Sequence, residues 1–239
     1  MKRWDAHPDP ASFLNCQEQP MKRRTIAATA LGGVAVFGAA AWTIGRSAPS
    51  PAHAASPGQG GGSGLLAELA RGPSAVILGN PAGDVTMVEF FDYQCPVCRR
   101  VQPDVRALLE EDPGVRLVHK HWPMLTPTST YAARMALASR WQEGRYEPLH
   151  QALMRLPGRL DDNRVRAAAE SSGINLIALE RDQRQRSDEI DVALGEALVQ
   201  ARQLRLQGTP GFVIGRYLVP GGMDLAGMRE VVGKIRSES

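Results

Sequence analysis

The feature that most constrains this chain is the run Val85-Thr86-Met87-Val88-Glu89-Phe90-Phe91, followed at once by Asp92-Tyr93-Gln94 and then Cys95-Pro96-Val97-Cys98. The run is rich in β-formers and almost continuously apolar, which is how a strand covered on both faces reads. Pro96 suits the first turn of a helix, and Val97, Val101, Val105, Leu108 and Leu109 give that helix an apolar stripe until Pro113-Gly114 stops it. Strand, tight turn and helix form the first half of a βαβ unit. Val115 to His121 supplies the next strand, which the right-handed crossover rule sets parallel to the first. A short apolar run, Ala75 to Leu78, predicts one more strand ahead of them, closed by Gly79-Asn80-Pro81.

Residues 127 to 207 read as helices, over 128–143, 146–155, 161–171, 174–182 and about 185–207. In the last, Ile190, Leu194, Ala197, Leu198, Ala201 and Leu204 share one face, and Gly208 is expected to end it. Phe212-Val213-Ile214 and Tyr217-Leu218-Val219 flank Gly215-Arg216, a spacing that favours a two-residue hairpin. A final helix starts near Asp224, a good N-cap, with Leu225, Met228, Val231, Val232 and Ile235 on one face. The order predicts an α/β fold in one domain over 70–239, with a helical subdomain inserted at about 127–207 between two parts of a small sheet.

Ahead of that domain, Lys22-Arg23-Arg24 precedes an uncharged stretch over 25–45 and a small-residue tract that includes Ala52-His53-Ala54. Basic, apolar and A-x-A segments in that order predict an export signal within residues 1–54, cleaved or retained as an anchor through 25–45. The arginine pair also permits a twin-arginine signal, and Met21 is an alternative start. Residues 55–69 follow as an expected flexible linker, because the Gly-, Pro- and Ser-rich tract running into them has little apolar surface to bury. The formal charge of +3 belongs to the leader. Residues 1–54 hold six of the 28 basic groups and three of the 25 acidic ones, which leaves 22 of each sign in the rest. A neutral domain argues against a nucleic-acid partner.

Cys16 lies in the leader, so Cys95 and Cys98 are the two cysteines of the domain. At a helix N-terminus the free N–H groups and the macrodipole favour a thiolate at Cys95. Cys98, one turn on, is within disulfide reach. Such a pair can cycle between disulfide and dithiol, with Cys95 exposed to attack and Cys98 resolving the mixed disulfide. A structural zinc site would need further ligands, and a structural disulfide over so short a loop constrains the unfolded chain little. Glu89 lies inside the apolar strand, where burial would raise its pKa and suit it to relay protons to and from Cys98; a solvated glutamate at a strand edge is the plainer alternative. In Gly208-Thr209-Pro210-Gly211 a proline opens a strand; a trans turn proline is the commoner case, while a cis bond there would bring the Thr209 backbone beside Cys95. His119 and His121 alternate on one strand face, read more simply as a strand end meeting solvent than as a metal pair. Trp122, Tyr131 and Trp141 read as core or groove lining.

Phe90 to Cys98, the segment Val115-Arg-Leu-Val-His-Lys-His-Trp-Pro123, and Gly208 to Ile214 together resemble the DsbA-like branch of the thioredoxin superfamily over about residues 70–237. The resemblance implies a thioredoxin fold with an inserted helical subdomain and thiol-disulfide exchange. It implies Cys95 as nucleophile, Cys98 as resolving thiol, Glu89 in the buried-acid position and Pro210 as the cis-proline. Pro96, Val97, Thr209 and Pro210 would form the substrate-binding surface, the substrate pairing with the Thr209 backbone as an added strand. No cofactor beyond the Cys95–Cys98 disulfide is expected. Expected partners are reduced exported proteins and a membrane redox partner such as a DsbB-like quinone reductase, in the periplasm. An oxidase that donates its disulfide to folding exported proteins is the first expectation, with a periplasmic reductase or isomerase as the alternative; Thr209, where the best-known oxidases carry valine, leaves oxidase against reductase open. A reading from another class is a non-catalytic copper(I) carrier that uses the two cysteines with His119 or His121.

Overall fold

The structure is a computed structural model that describes residues 61–72 and 75–238. The expected signal and anchor over 1–54, with Cys16 and Met21, and the linker as far as residue 60 lie outside the described residues. In chain order the elements are α1 (Gly61–Leu69), β1 (Val76–Gly79), β2 (Val85–Phe91), α2 (Pro96–Glu111), β3 (Val115–His121), α3 (Pro127–Ser139) and α4 (Tyr146–Arg155). They continue with α5 (Asp162–Ser171), α6 (Leu176–Gln185), α7 (Ser187–Gln203), β4 (Gly211–Ile214), β5 (Tyr217–Pro220) and α8 (Leu225–Ser237).

The strands form one mixed sheet in the order β1-β3-β2-β4-β5. β2 and β3 run parallel with Val85 opposite Val115 and Glu89 opposite His119, and α2 is their crossover. β1 closes one side antiparallel to β3, while β4 lies antiparallel to β2 with Phe212 opposite Glu89. The β4–β5 hairpin turns on Gly215-Arg216, and Gly215 takes φ of +55°, which a side chain rarely adopts. The central position of β2 and β3 explains their continuous apolar sequence. Val85, Met87, Leu117, Phe212 and Ile214 pack under α2 and α8, through Val101, Val105, Leu108, Met228 and Val232. On the opposite face Val88, Phe90, Val118 and Val213 meet Leu69 next to Ala201 of α7. The inserted helices α3 to α6 and the first half of α7 build a third cluster that reaches the sheet at Phe91 and the active-site turn at Tyr93, Cys95 and Cys98.

Two local expectations change. Residues 61–69, placed in the linker by composition, form α1: Leu66 and Leu69 lie three apart on one helical face, and Leu69 is buried against the sheet. The glycines dominate the composition, yet that pair supplies enough apolar surface to dock a short helix. The long helix α7 does not run to Gly208. It ends at Gln203, where Leu206 N–H donates to Ala201 C=O (3.0 Å) and Arg205 N–H to Arg202 C=O (2.9 Å). This is the Schellman arrangement, with Arg205 at φ of +56° in the place that glycine usually takes. Leu206 is buried and drives the turn from within.

Arg205 is exposed and is the single non-glycine residue with positive φ among those described. Arg205→Gly is therefore expected to stabilise the protein by about 0.5–1 kcal/mol, the left-handed penalty relieved less the added freedom of the unfolded chain. Urea unfolding midpoints measure it; a destabilised variant would show that the arginine side chain outweighs its backbone cost.

Candidate active site

The turn that delivers the cysteines is built from hydrogen bonds its own sequence supplies. Asp92 accepts Gln94 N–H on Oδ1 (2.8 Å), and Cys95 N–H donates to Asp92 C=O (3.0 Å), so the chain reverses straight out of β2. Cys95 is the N-cap of α2, with extended backbone, and Pro96 follows in the first turn. Its sulfur takes the place of a capping oxygen and accepts Cys98 N–H at 3.3 Å. On its other side Cys95 Sγ–H donates to Thr209 C=O at 3.2 Å. The Thr209–Pro210 bond is cis. Thr209 and Pro210 thus stand against Cys95, although 114 residues separate the pair in sequence.

Both cysteines are free thiols, Cys98 with no exposed surface and Cys95 with 4%. Their environments separate them. The Cys98 thiol donating to the Cys95 sulfur is the largest influence on Cys95; the Thr209 side chain and the backbone N–H groups of Cys98 and Val97 assist against the opposing effect of burial, and its pKa falls from 9.0 to about 6. Burial, then the Cys95 thiolate, pushes the Cys98 thiol well above its ordinary range, and Glu89, once ionised in alkaline solution, adds to that.

Glu89 has no exposed surface and neither of its oxygens has a hydrogen-bond partner. Burial raises its pKa from 4.5 to about 8, so it is a neutral acid at pH 7. His119 Nε2 lies 3.4 Å from Glu89 Oε2, yet burial lowers His119 to about 3; the contact joins two neutral groups rather than two ions.

His119 and His121 do not meet solvent as expected from their strand-end position. Both are buried, because β3 lies between β1 and β2 and its face is covered by α4. Tyr146 Oη, from α4, shares hydrogen bonds with His119 Nδ1 and His121 Nε2, each 3.0 Å, and Tyr93 Oη with His150 Nδ1 at 3.1 Å. Tyr146 has one hydrogen to give and cannot donate to both histidines, so at least one of them donates to it. Burial lowers the pKa of all three histidines. Among the described residues no group of three or more His, Cys, Asp or Glu is placed to hold a metal ion. Of the aromatic residues, Trp122 is buried in the core, while Tyr131 and Trp141 are half-buried against the helical cluster.

Sequence reasoning did not single out three residues that hold the turn. Gln94 makes two bonds to Leu160, accepting its N–H (2.9 Å) and donating to its C=O (3.1 Å). Asp92 Oδ2 accepts Met124 and Leu125 N–H at 2.9 and 3.0 Å. Arg99 donates to Tyr93 C=O (2.7 Å) and to Leu156 and Gly158 C=O. Only the polar sequence Asp92-Tyr93-Gln94 between strand and helix hinted at them, as turn chemistry.

The sequence pattern of the DSBA-like thioredoxin domain matches residues 86–233, which spans the cysteines, the sheet and the inserted helices. The chain belongs to the DsbA-like thioredoxin family. The family is one of thiol-disulfide oxidoreductases, and solved structures agree with it. A thioredoxin-like oxidoreductase from Silicibacter pomeroyi is 42% identical with a TM-score of 0.66, over 69% of this chain and 94% of that one. The catalytic domain of Proteus mirabilis ScsC is 27% identical with a TM-score of 0.65, over 72% and 96%. A periplasmic thioredoxin-like protein from Salmonella enterica serovar Typhimurium is 26% identical with a TM-score of 0.60, over 71% and 94%. Among curated sequences, Na(+)/H(+) antiporter NhaA 1 of Salinispora arenicola is 30% identical over 132 residues, 54% of this chain but 20% of the antiporter. This DsbA-like chain therefore matches about a fifth of that relative's length. No helix among the described residues is long and apolar enough to cross a membrane.

Two outcomes check the electrostatics. In the reduced protein, alkylation of Cys95 by iodoacetamide is expected to rise with a midpoint near pH 6 and to vanish in Cys95→Ser, with Cys98 unreactive over the same range; mass spectrometry separates the two sites. For Glu89, the folded state holds a proton up to about pH 8 and the unfolded chain only to about 4.5. Its contribution is therefore complete below the lower value and lost as pH rises through the higher one. Between pH 6.5 and 7.5 the three buried histidines are neutral in the folded state but still partly protonated in the unfolded chain, which gives an opposing slope. The Glu89 effect is therefore read as a difference: the stability of Glu89→Gln relative to the wild type, both in the disulfide form, is expected to rise by about 1 kcal/mol per pH unit over this window. Denaturant titrations at several pH values give the comparison.

Proposed function

We propose that this protein is an exported thiol-disulfide oxidoreductase that passes its Cys95–Cys98 disulfide to reduced cysteines of exported proteins. The observation that carries this reading is the contrast between the two thiols, with Cys95 near 6 and Cys98 well above its ordinary value. A thiolate stabilised by the fold favours the dithiol form over the disulfide, so the disulfide is readily given up. That favours donation, the oxidase direction, over reduction or isomerisation.

The steps follow from the geometry. A substrate thiolate attacks Cys95 Sγ, the S–S bond breaks, and Cys98 leaves as a thiolate that must take a proton in a buried site. Glu89, neutral at pH 7, is the proposed donor of that proton. A second substrate thiolate then attacks the substrate sulfur of the mixed disulfide. Cys95 leaves, and its depressed pKa makes it the good leaving group. Two electrons pass from the substrate dithiol to the enzyme, which ends as Cys95–Cys98 dithiol. Substrate backbone would align on Thr209, whose carbonyl is already beside Cys95, with Pro96, Val97 and Pro210 around it. Reoxidation is assigned to a membrane partner such as a DsbB-like quinone reductase. The segments Lys22 to Arg24, 25–45 and Ala52-His53-Ala54 support export to the periplasm.

Cys98→Ala is expected to accumulate mixed disulfides with exported proteins, and Cys95→Ala to trap none. Non-reducing electrophoresis of periplasmic extracts reads both, and equal trapping by the two would remove the assigned roles. A reduction potential near about −120 mV against glutathione supports donation; one near about −270 mV would make the protein a reductant.

A further inference from the structure

Next to Cys95, lined by its neighbours Gln94 and Pro96, a groove of about 670 Å³ opens between the start of α2 and the loop that joins α4 to α5. Its apolar part includes Leu125 and Leu156, and Leu125 is 48% exposed. Around them stand Arg99, Arg100, Arg155 and Arg159, and no carboxylate is among the residues that line the groove. Four arginines on one side of the nucleophile are a strong segregation of charge, because the chain beyond residue 54 holds as many acidic as basic groups.

The arginines are not spent on the protein's own acids. None of the four forms a salt bridge among the described residues: Arg99 donates to backbone carbonyls, Arg155 to Gln151, and Arg100 and Arg159 are exposed at the rim. Two nearby acids, Asp92 and Asp161, are engaged elsewhere. Asp92 is buried with its oxygens on the N–H groups of Gln94, Met124 and Leu125, and Asp161 caps α5 through Arg164 N–H. The groove is also built in advance of any occupant. The Gln94–Leu160 pair, the Asp92 bonds to Met124 and Leu125, and the Arg99 bonds to Leu156 and Gly158 fasten both walls to the active-site turn. A rigid wall with an apolar floor loses little on binding, and unpaired rim arginines favour an anionic ligand.

We propose that this groove receives an extended protein segment that carries carboxylates and an apolar side chain next to its reacting cysteine. The proposal rests on the thiol-exchange reading, since the occupant must present a thiol to Cys95. It adds the substrate class: cysteines in acidic sequence are oxidised ahead of those in basic sequence, with Arg100 and Arg159 as the main discriminating residues.

The test is the rate at which the oxidised protein converts two synthetic dithiol peptides, identical except for three Glu or three Lys beside the reacting cysteine. The Glu-to-Lys rate ratio is the readout, so any general effect on Cys95 cancels. The wild type is expected to favour the Glu peptide about tenfold at low salt, and the preference to shrink in 0.5 M NaCl. The double variant Arg100→Glu/Arg159→Glu is expected to bring the ratio to one or below. The equally charged Arg184→Glu/Arg202→Glu, away from the groove, should retain most of it. A ratio near one in the wild type, or a preference that survives in the first variant or is lost equally in both, would overturn the proposal. Oxidation of dithiothreitol tests the underlying reading separately: a wild type that oxidises neither it nor either peptide would sink thiol exchange, and the groove's role with it.

Discussion

The rest of the structure depends on the exclusion of water from β2. The strand is paired on both edges, by β3 and β4, and covered on both faces. An acid placed there cannot stay charged, so Glu89 holds its proton to about pH 8. The end of the same strand sets down Cys95 at the N-terminus of α2, while the pairing of β4 with β2 carries Thr209-Pro210 to the other side of the sulfur. The acidic thiol, the buried acid and the carbonyl beside the sulfur are thus consequences of one strand's position.

The two cysteines show how the same residue type acquires two roles within one helical turn. Cys95 lies where α2 offers free N–H groups, and Cys98 lies one turn inside, buried in the apolar cluster beside the Cys95 sulfur. Electrostatic stabilisation of one thiolate and desolvation of the other drive their acidities apart. The buried histidines extend this dry environment. They stay neutral, share hydrogen bonds with Tyr93 and Tyr146, and add no positive charge that would draw the proton from Glu89.

Much of this was legible in the residues. The continuous apolar run over 85–91, the proline at the head of α2 and the hairpin at Gly215-Arg216 each pointed to their element, and the helix over 146–155 and the cap at Asp224 are found at the expected residues. Local signals failed where long-range packing supplied the energy. α1 forms from a glycine-rich segment because Leu69 finds the sheet; α7 ends at Gln203 because Leu206 is buried; His119 and His121 turn inward because α4 covers their strand.

By itself the sequence determined the chemistry at hand: one pair of thiols at a strand-to-helix turn, an acid six residues before them, and a proline between glycines far down the chain. These are local patterns, set by dihedral preference and periodicity. The tertiary structure decided which of them meet. The Thr209 carbonyl reaches Cys95, Glu89 loses its water, and four arginines from α2, α4 and the loop after it gather beside Cys95 in a groove that no carboxylate lines. Proximity and dielectric arise from residues a hundred positions apart, and no local pattern carries that information.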